Sequence, residues 1–378
     1  MQRIHGDYIK TFLLGQHPSF VYRRLPYIPE NEIPVYAFHN ISAGTFENQI
    51  KYLAENNYRS IGADELYAVI RNGRSKQDKI VALTFDDGLK SLYDVAWPIL
   101  KKYDFTGISF IAPGRILDKR NPAEDKTIAD QFCSWDEIAQ MHESGIFDFQ
   151  SHTMHHHTVF SSSRCLGFAN PMVCTSFLTT DLNPVIRSEG KDVFKMGLEP
   201  GQPIYDWMPA MVASQRYIED EAVSRQMVSF VKNQGVGSFF RKPGWKNDIR
   251  KFYKDCILKN PPRDAIQRAR ERFLEIKQDL TDSKRTIEER LNKQVRYMAY
   301  PWFKGSEMAV AASREARYRG NFWGTVSGRS INRVGDNCFY IKRISADFIY
   351  MLPGKGRKSF VQALAGKHLK RGSQQAGM

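Results

Sequence analysis

Short apolar runs, each followed at once by polar residues of unusual chemistry, constrain this chain more than anything else in it. Residues 33–38 (IPVYAF) lead into His39, residues 80–85 (IVALTF) into Asp86, Asp87 and Gly88, residues 147–150 into Ser151 and His152, and residues 295–300 into Pro301 and Trp302. An apolar run without alternation is what a strand buried on both faces requires. Such runs alternate here with amphipathic stretches, which points to parallel β/α units. Helices are expected over 46–56, with Ile50, Leu53 and Ala54 inward, and over 91–102, where Pro98 weakens or kinks the helix. Another opens at Ser134, with Glu137 completing a capping box, and a long charged one is expected over 266–291. Further strands are expected at 107–111, 322–326 and 339–344. In parallel β/α folds ligands bind at the carboxyl ends of the strands. Four sequence-distant polar clusters are therefore expected on one face.

Between residues 161 and 260 the rhythm breaks. Pro171, Pro184, Pro200, Pro203, Pro209 and Pro243 punctuate the stretch, with aromatic residues between them. It reads as a long insertion, helical around 219–233, and insertions of that length are usually functional. The expected organisation is an irregular lead-in over 1–32, a barrel-type domain over 33–352 that contains the insertion, and a basic tail over 353–378.

Two clusters carry the chemistry. Adjacent carboxylates at Asp86 and Asp87, at the end of a buried strand, are costly unless one is protonated or a cation neutralises them. Alone, Asp-Gly is also an ordinary turn signal. His152 and His156 are four apart in the run HTMHHH, and in a helical turn that spacing puts both rings on one side. One Asp and two His then form a facial set with open positions, the layout a catalytic Zn2+ or similar divalent ion uses. The other Asp is left to act as a base.

TFDDG at 84–88, HTMHH at 152–156 and AYPWFKG at 299–305 together resemble the polysaccharide deacetylase family, the NodB-like carbohydrate esterases. The resemblance covers about residues 33–160 and 280–345. It implies a distorted (β/α)7 barrel carrying the long insertion, and a metal-dependent hydrolase that removes an N-acetyl group from an amino sugar. It implies Asp86 as general base and Asp87, His152 and His156 as metal ligands, with Zn2+ the expected ion. The third motif departs from the family's Arg…Pro-Tyr-Gly: Trp302 takes the aromatic position and two extra residues precede Gly305. A late Leu-x-His motif is missing. His39, in the strand-end run VYAFHN, resembles the early histidine of the poly-N-acetylglucosamine deacetylase subgroup, which implies that His39 is the general acid.

Substrate contacts are expected from Tyr300, Pro301 and Trp302. Trp207 and Trp245 join them from the insertion, since aromatic faces suit a sugar's C–H surface. Arg343 follows a strand and is expected either to hold Asp86 by a charge-assisted hydrogen bond or to lie on the surface. Alternative readings are a deformylase or other amide hydrolase, and a catalytically silent carbohydrate-binding protein. The net charge of +14 favours anionic partners, so a lipid-linked glycan and peripheral contact with an anionic membrane are expected. Nucleic acid is not, since no recognition motif accompanies the charge. Five cysteines without a CxxC pair suit a reducing compartment. No run approaches the roughly 20 apolar residues a spanning helix needs, and the first residues lack a signal-peptide core. The expected location is the cytoplasm, peripherally at the inner membrane face.

Overall fold

The structure is a computed structural model that describes residues 12–22, 27–75, 78–118, 131–171, 184–188, 191–194, 198–259, 266–267, 269–326 and 328–362. It divides into two compact units: Met1–Met154, Leu280–Phe303 and Ser313–Met378 make the first, and His155–Asp279 with Lys304–Ala312 the second.

The first unit is built on parallel strands: β1 (Val35–Phe38), β2 (Ile80–Asp87), β3 (Gly107–Ile111), β4 (Phe147–Ser151), β5 (Tyr297–Ala299), β6 (Gly320–Trp323) and β7 (Ile341–Lys342 and Ile344–Ser345, split at Arg343). Their pairing runs in that order, with Ile341–Lys342 on β6 and Ile344–Ser345 on β1. The path therefore starts and finishes on the same five residues. One strand, broken at Arg343, closes the sheet into a seven-stranded barrel, the fold expected from the sequence.

The closure is incomplete between β4 and β5, where the only ladder pair is Met298 with Ser151. Side chains fill in for the missing backbone bonds. The Gln150 Oε1 accepts from the backbone N–H groups of Arg296 and Tyr297, both at 3.0 Å. At the other end of the gap the His152 Nδ1 meets the Ala299 carbonyl at 2.8 Å. Buried backbone groups need partners, and here a distortion of the barrel is stabilised by two side chains.

The barrel interior is filled by alternate residues of the strands. Val35, Ala82, Ile108, Phe110, Tyr297, Ala299, Phe322 and Ile341 form one buried cluster. The helix Ala63–Asn72 adds Leu66 and Ile70 to it and plugs the amino end, where Asp64 accepts the Tyr297 hydroxyl at 2.7 Å. On β2 the period of two puts Thr84 and Asp86 on the same face as Ala82. Outside the barrel, Phe85 packs among Phe38, Phe46 and Phe147. Gly107 admits that layer: a Cβ there would stand 2.7 Å from both the Phe85 and Phe147 rings. Gly107→Ala is expected to cost about 1–3 kcal/mol through overpacking, read as a lower urea midpoint at unchanged slope. An unchanged midpoint would mean the rings give way.

The helix is irregular at Pro98, in line with expectation. Leu92–Ala96 forms a π-helical turn that runs through helical backbone at Ala96 and Trp97 into the α-helix Trp97–Lys102, with Pro98 in its first positions. A widened turn of this kind accommodates the N–H that proline lacks. Trp135–Glu143 has the expected capping box at Ser134 and Glu137. The strands expected at 295–300, 322–326 and 339–344 are shorter or shifted, because backbone pairing stops where the chain turns to present polar groups.

The second unit has its own cores. A bulged antiparallel pair joins Thr158–Phe168 to Pro203–Pro209, and helices run over Glu221–Asn233, Val236–Arg241 and Trp245–Lys259. Trp207 packs on the cluster of Phe160, Tyr205 and Tyr217. Trp245 packs on the cluster that holds Phe239, edge-on to Phe240 at 4.9 Å. No described helix is long and apolar enough to cross a membrane. Of the tail cations, Arg357 donates to the Phe20 carbonyl and Lys358 stands over the Tyr350 ring. The remainder of the tail, from residue 363, lies outside the described residues.

Candidate active site

Asp86 is the buried centre of the site. It tops the inward column of β2 and is 4 % exposed. One carboxylate oxygen, Oδ1, accepts from the Arg343 guanidinium at 2.5 Å. The other, Oδ2, lies 3.6 Å from His39 Nε2 and 3.9 Å from His152 Nε2. Burial pushes the Asp86 pKa up. Arg343, then His152 and His39, outweigh it and hold the carboxyl below its ordinary value. Asp86 is thus ionised in a place where an isolated carboxylate would take up a proton.

Successive strand residues point to opposite faces, so Asp87 should turn away from Asp86. It does not, because Asp87 has a left-handed φ of 73°. That conformation is tolerated by Asp better than by most residues. Gly88 follows with φ 73° as well, and a Cβ there would stand 3.1 Å from Ile111 and Ile116. The DDG sequence is therefore a device for turning the second carboxylate back over the barrel.

The histidine run is not helical, which corrects the helical-turn expectation for its four-residue spacing. Thr153 (φ 67°) and His156 (φ 48°) both take left-handed backbone, and these bends, rather than an α-turn, bring His156 back beside His152. Left-handed non-glycine residues recur at Trp302 and Phe303. Strain of this kind concentrates at functional sites.

Asp87, His152 and His156 each offer one ligand atom, and these atoms lie within 4.8 Å of one another. His152 is 1 % exposed, and burial holds its imidazole below the ordinary histidine value, against Asp86 and Asp87. With its Nδ1–H given to the Ala299 carbonyl, the Nε2 lone pair faces Asp87 Oδ1 at 3.6 Å. A neutral imidazole with one nitrogen tied to a carbonyl is how metal-binding histidines are oriented. Two imidazoles and a carboxylate fit a divalent ion such as Zn2+, so these residues suit the implied metal.

Arg343 lies inside the barrel rather than on the surface. Its side chain is buried, donates to the Trp323 carbonyl at 3.3 Å, and lies over the Phe303 ring at 4.7 Å. It holds Asp86, and that contact fills its guanidinium's place in the site. His39 is 43 % exposed at its side chain and packs edge-on to Phe303 at 5.2 Å. Pro301 is buried and Trp302 half-buried in a left-handed turn. Gly324 lets that turn sit close, since a Cβ would meet Phe303 at 2.8 Å. Tyr300 is fully buried, its hydroxyl accepting from Asn321 at 2.7 Å. It supports the turn from below, which replaces the expectation of a substrate contact. Trp207 and Trp245 pack within the second unit as described.

Two residues were missed in the sequence. Phe303 backs both His39 and Arg343. Arg115 is 9 % exposed, just beyond β3, and burial lowers its guanidinium to about 10, against the attraction of Asp87. Its only sequence signal is a Pro-Gly-Arg turn after a strand.

The parallel seven-stranded barrel thus gathers an Asp-Asp pair and a histidine set at the carboxyl ends of its strands. Residues 73–170 match the polysaccharide deacetylase family, and the resemblance read from the motifs is borne out. The chain is 25% identical over 132 residues to the poly-beta-1,6-N-acetyl-D-glucosamine N-deacetylase of Escherichia coli, covering 34% of this chain and 20% of that protein. It is 26% identical over 126 residues to the enzyme of that name from Staphylococcus aureus, covering 33% of this chain and 41% of that protein. The match thus spans less than half the length of these relatives. A solved de-N-acetylase from Aggregatibacter actinomycetemcomitans superimposes with a TM-score of 0.52 at 18% identity, over 84% of this chain and 96% of that one.

Proposed function

We propose that this chain is a metal-dependent hydrolase that removes N-acetyl groups from amino sugars in a poly-N-acetylglucosamine-type glycan. The observation that carries the reading is a buried Asp86, clamped by Arg343 beside a three-ligand set. The names of the relatives, which act on poly-beta-1,6-N-acetyl-D-glucosamine, support the substrate class.

Asp87, His152 and His156 would hold a divalent ion, most simply Zn2+, which would supply Lewis acidity to the acyl carbonyl and the attacking water. Asp86 accepts the water's proton through Oδ2, the oxygen that Arg343 leaves open. Arg343 fixes the other oxygen and keeps the base charged until that transfer. His39, on the exposed side of the same carboxylate, donates the proton to the departing sugar nitrogen. Trp302 forms the wall beside the acyl group. Base and acid sit in unlike surroundings, one buried and one solvated, as opposite proton roles require.

The charge of +14 supports a phosphate-linked lipid carrier as the form in which the glycan is presented, at the cytoplasmic face of a membrane. The deciding assay measures acetate and free amine released from N-acetylglucosamine oligomers and from lipid-linked N-acetyl sugars. Release by zinc-loaded protein, lost on chelation and restored by zinc, is the expected result. Metal binding without release from any acetylated sugar would overturn the activity and leave the metal site standing.

A further inference from the structure

The amino ends of β5 and β6, opposite the Asp86 end of the barrel, carry a second feature that deacetylation does not use. A cleft of about 800 Å3 is lined there by Lys284, Lys293, Arg296, Arg317 and Arg319, with Glu288 the one carboxylate in its wall. Lys293 is paired with Asp148, and Arg296 with Asp64 at 2.5 Å. Lys284 lies 4.0 Å from Glu288 and caps the Arg317 carbonyl at 3.2 Å. Among the described residues, the guanidinium groups of Arg317 and Arg319 meet no carboxylate within ion-pair distance. Five cations against these three carboxylates leave two positive charges unbalanced.

Two details set the cleft apart from an ordinary solvated surface. First, the Arg319 N–H donates to the Arg296 carbonyl at 2.7 Å, just before Tyr297 pairs with Gly320. The two arginines enter adjacent parallel strands side by side, and like charges so placed repel. Second, Arg317 has φ 62°. It follows the helix Glu307–Glu315, with its own N–H on the Arg314 carbonyl and the Tyr318 N–H on that of Ser313, both at 3.0 Å. That is the left-handed cap position where glycine is standard. Arginine there adopts a strained backbone and adds charge to a crowd of cations. Burial holds the Lys284 ammonium below its ordinary value, and Arg317, Arg296 and Arg319 add to that against Glu288. Cations at helix carboxyl ends favour the helix dipole, which accounts for Lys284 but not for Arg319, which lies in no helix.

We propose that this cleft is a binding site for phosphate groups. Two guanidinium forks beside an ammonium match the geometry and charge of a phosphate dianion, which arginine grips through paired N–H donors. The phosphate is that of a soluble phosphorylated molecule or of a lipid headgroup. The site stands whether or not the opposite end of the barrel is a deacetylase.

The test titrates the full chain with inorganic phosphate at constant ionic strength, and separately measures retention on vesicles containing phosphatidic acid, whose headgroup is a phosphomonoester, against phosphatidylcholine vesicles. The variants are Arg317→Gly and Arg319→Gln, with Lys51→Gln on a remote helix as control. The expected result is saturable phosphate binding with a raised Tm, weakened on the order of tenfold by either arginine variant and unchanged by the control. Arg317→Gly removes the backbone strain, so its Tm without phosphate is expected to equal or exceed that of the wild type while its phosphate affinity falls. Vesicle retention lost in the same two variants assigns the headgroup as source; phosphate binding without retention assigns a soluble ligand. Absence of both, or binding that the two variants leave intact, overturns the proposal. A fall in Tm for Arg317→Gly with unchanged phosphate binding would make Arg317 a structural cap and overturn it likewise.

Discussion

Asp86→Asn is expected to lower turnover by about 10^2–10^4-fold, the usual worth of a positioned general base, while bound metal stays at the wild-type level. Asparagine keeps the size and the hydrogen bond from Arg343 but cannot take a proton. The acid side of the profile supplies a second reading. The folded-state pKa of Asp86 lies below its ordinary value because Arg343, His152 and His39 outweigh burial. A depressed carboxylate pKa contributes stability that is present above the unfolded value and lost as pH falls through the folded one. The wild-type base thus stays charged to lower pH than an ordinary aspartate would. Arg343→Met removes the largest lowering influence and leaves burial in place, so the Asp86 pKa rises. The acid limb of activity is then expected to move to higher pH, and folding stability near neutrality to fall by about 3–5 kcal/mol as a buried charge loses its partner. The checks are a pH–rate profile and a urea melt on the same samples. Full activity in Asp86→Asn would sink the assignment of the base.

The parts of this protein legible in its sequence were those fixed by local pattern. β2 up to Phe85 and β3 are mostly apolar, without the alternation of a half-exposed strand, and both are buried along that length, which is enough for strands covered on both faces to declare themselves. Four polar clusters at strand ends placed the site, and the barrel brings His39, Asp86, Asp87 and His152 together as expected. What the sequence concealed is non-local. The role of Gln150 and His152 in bridging β4 and β5 depends on a gap that no single strand reveals. Arg343 was legible only as one of two alternatives, because its value lies in breaking β7 where the barrel closes, a property of the ring and not of the run. Tyr300 looked like a wall residue from its place in the motif, but the period of two that puts Tyr297 and Ala299 in the barrel interior turns its ring to the opposite face, where it meets Asn321. The histidine spacing suggested a helical turn, and left-handed residues produced the same meeting by another route. Backbone strain has no signature in hydropathy, and Thr153 and His156 are not residues that announce it.

Asp87→Asn is expected to separate from Asp86→Asn by its metal content. Asparagine tolerates the left-handed backbone that position 87 requires, so the turn into Gly88 survives and the barrel remains folded. The charged ligand is gone, and divalent-metal affinity is expected to fall by on the order of 10^2-fold or more, since even outer partners of metal ligands cost 10–100-fold. Deacetylation falls with it, and high zinc restores part of the Asp87→Asn activity but none of the Asp86→Asn activity. His152→Ala loses the metal too, but it also leaves the Ala299 carbonyl facing the β4–β5 gap without the ring that meets it. A buried acceptor left unpaired costs about 1–3 kcal/mol, so this variant is expected to lower the urea midpoint where Asp87→Asn does not. Metal titration and unfolding of the two variants side by side decide the matter. Wild-type metal affinity in Asp87→Asn would remove Asp87 from the ligand set. Equal stability in both variants would mean that His152 binds metal without bracing the barrel. The expected pattern is the one in which a single buried ring closes a gap in the sheet with one nitrogen and holds the ion with the other.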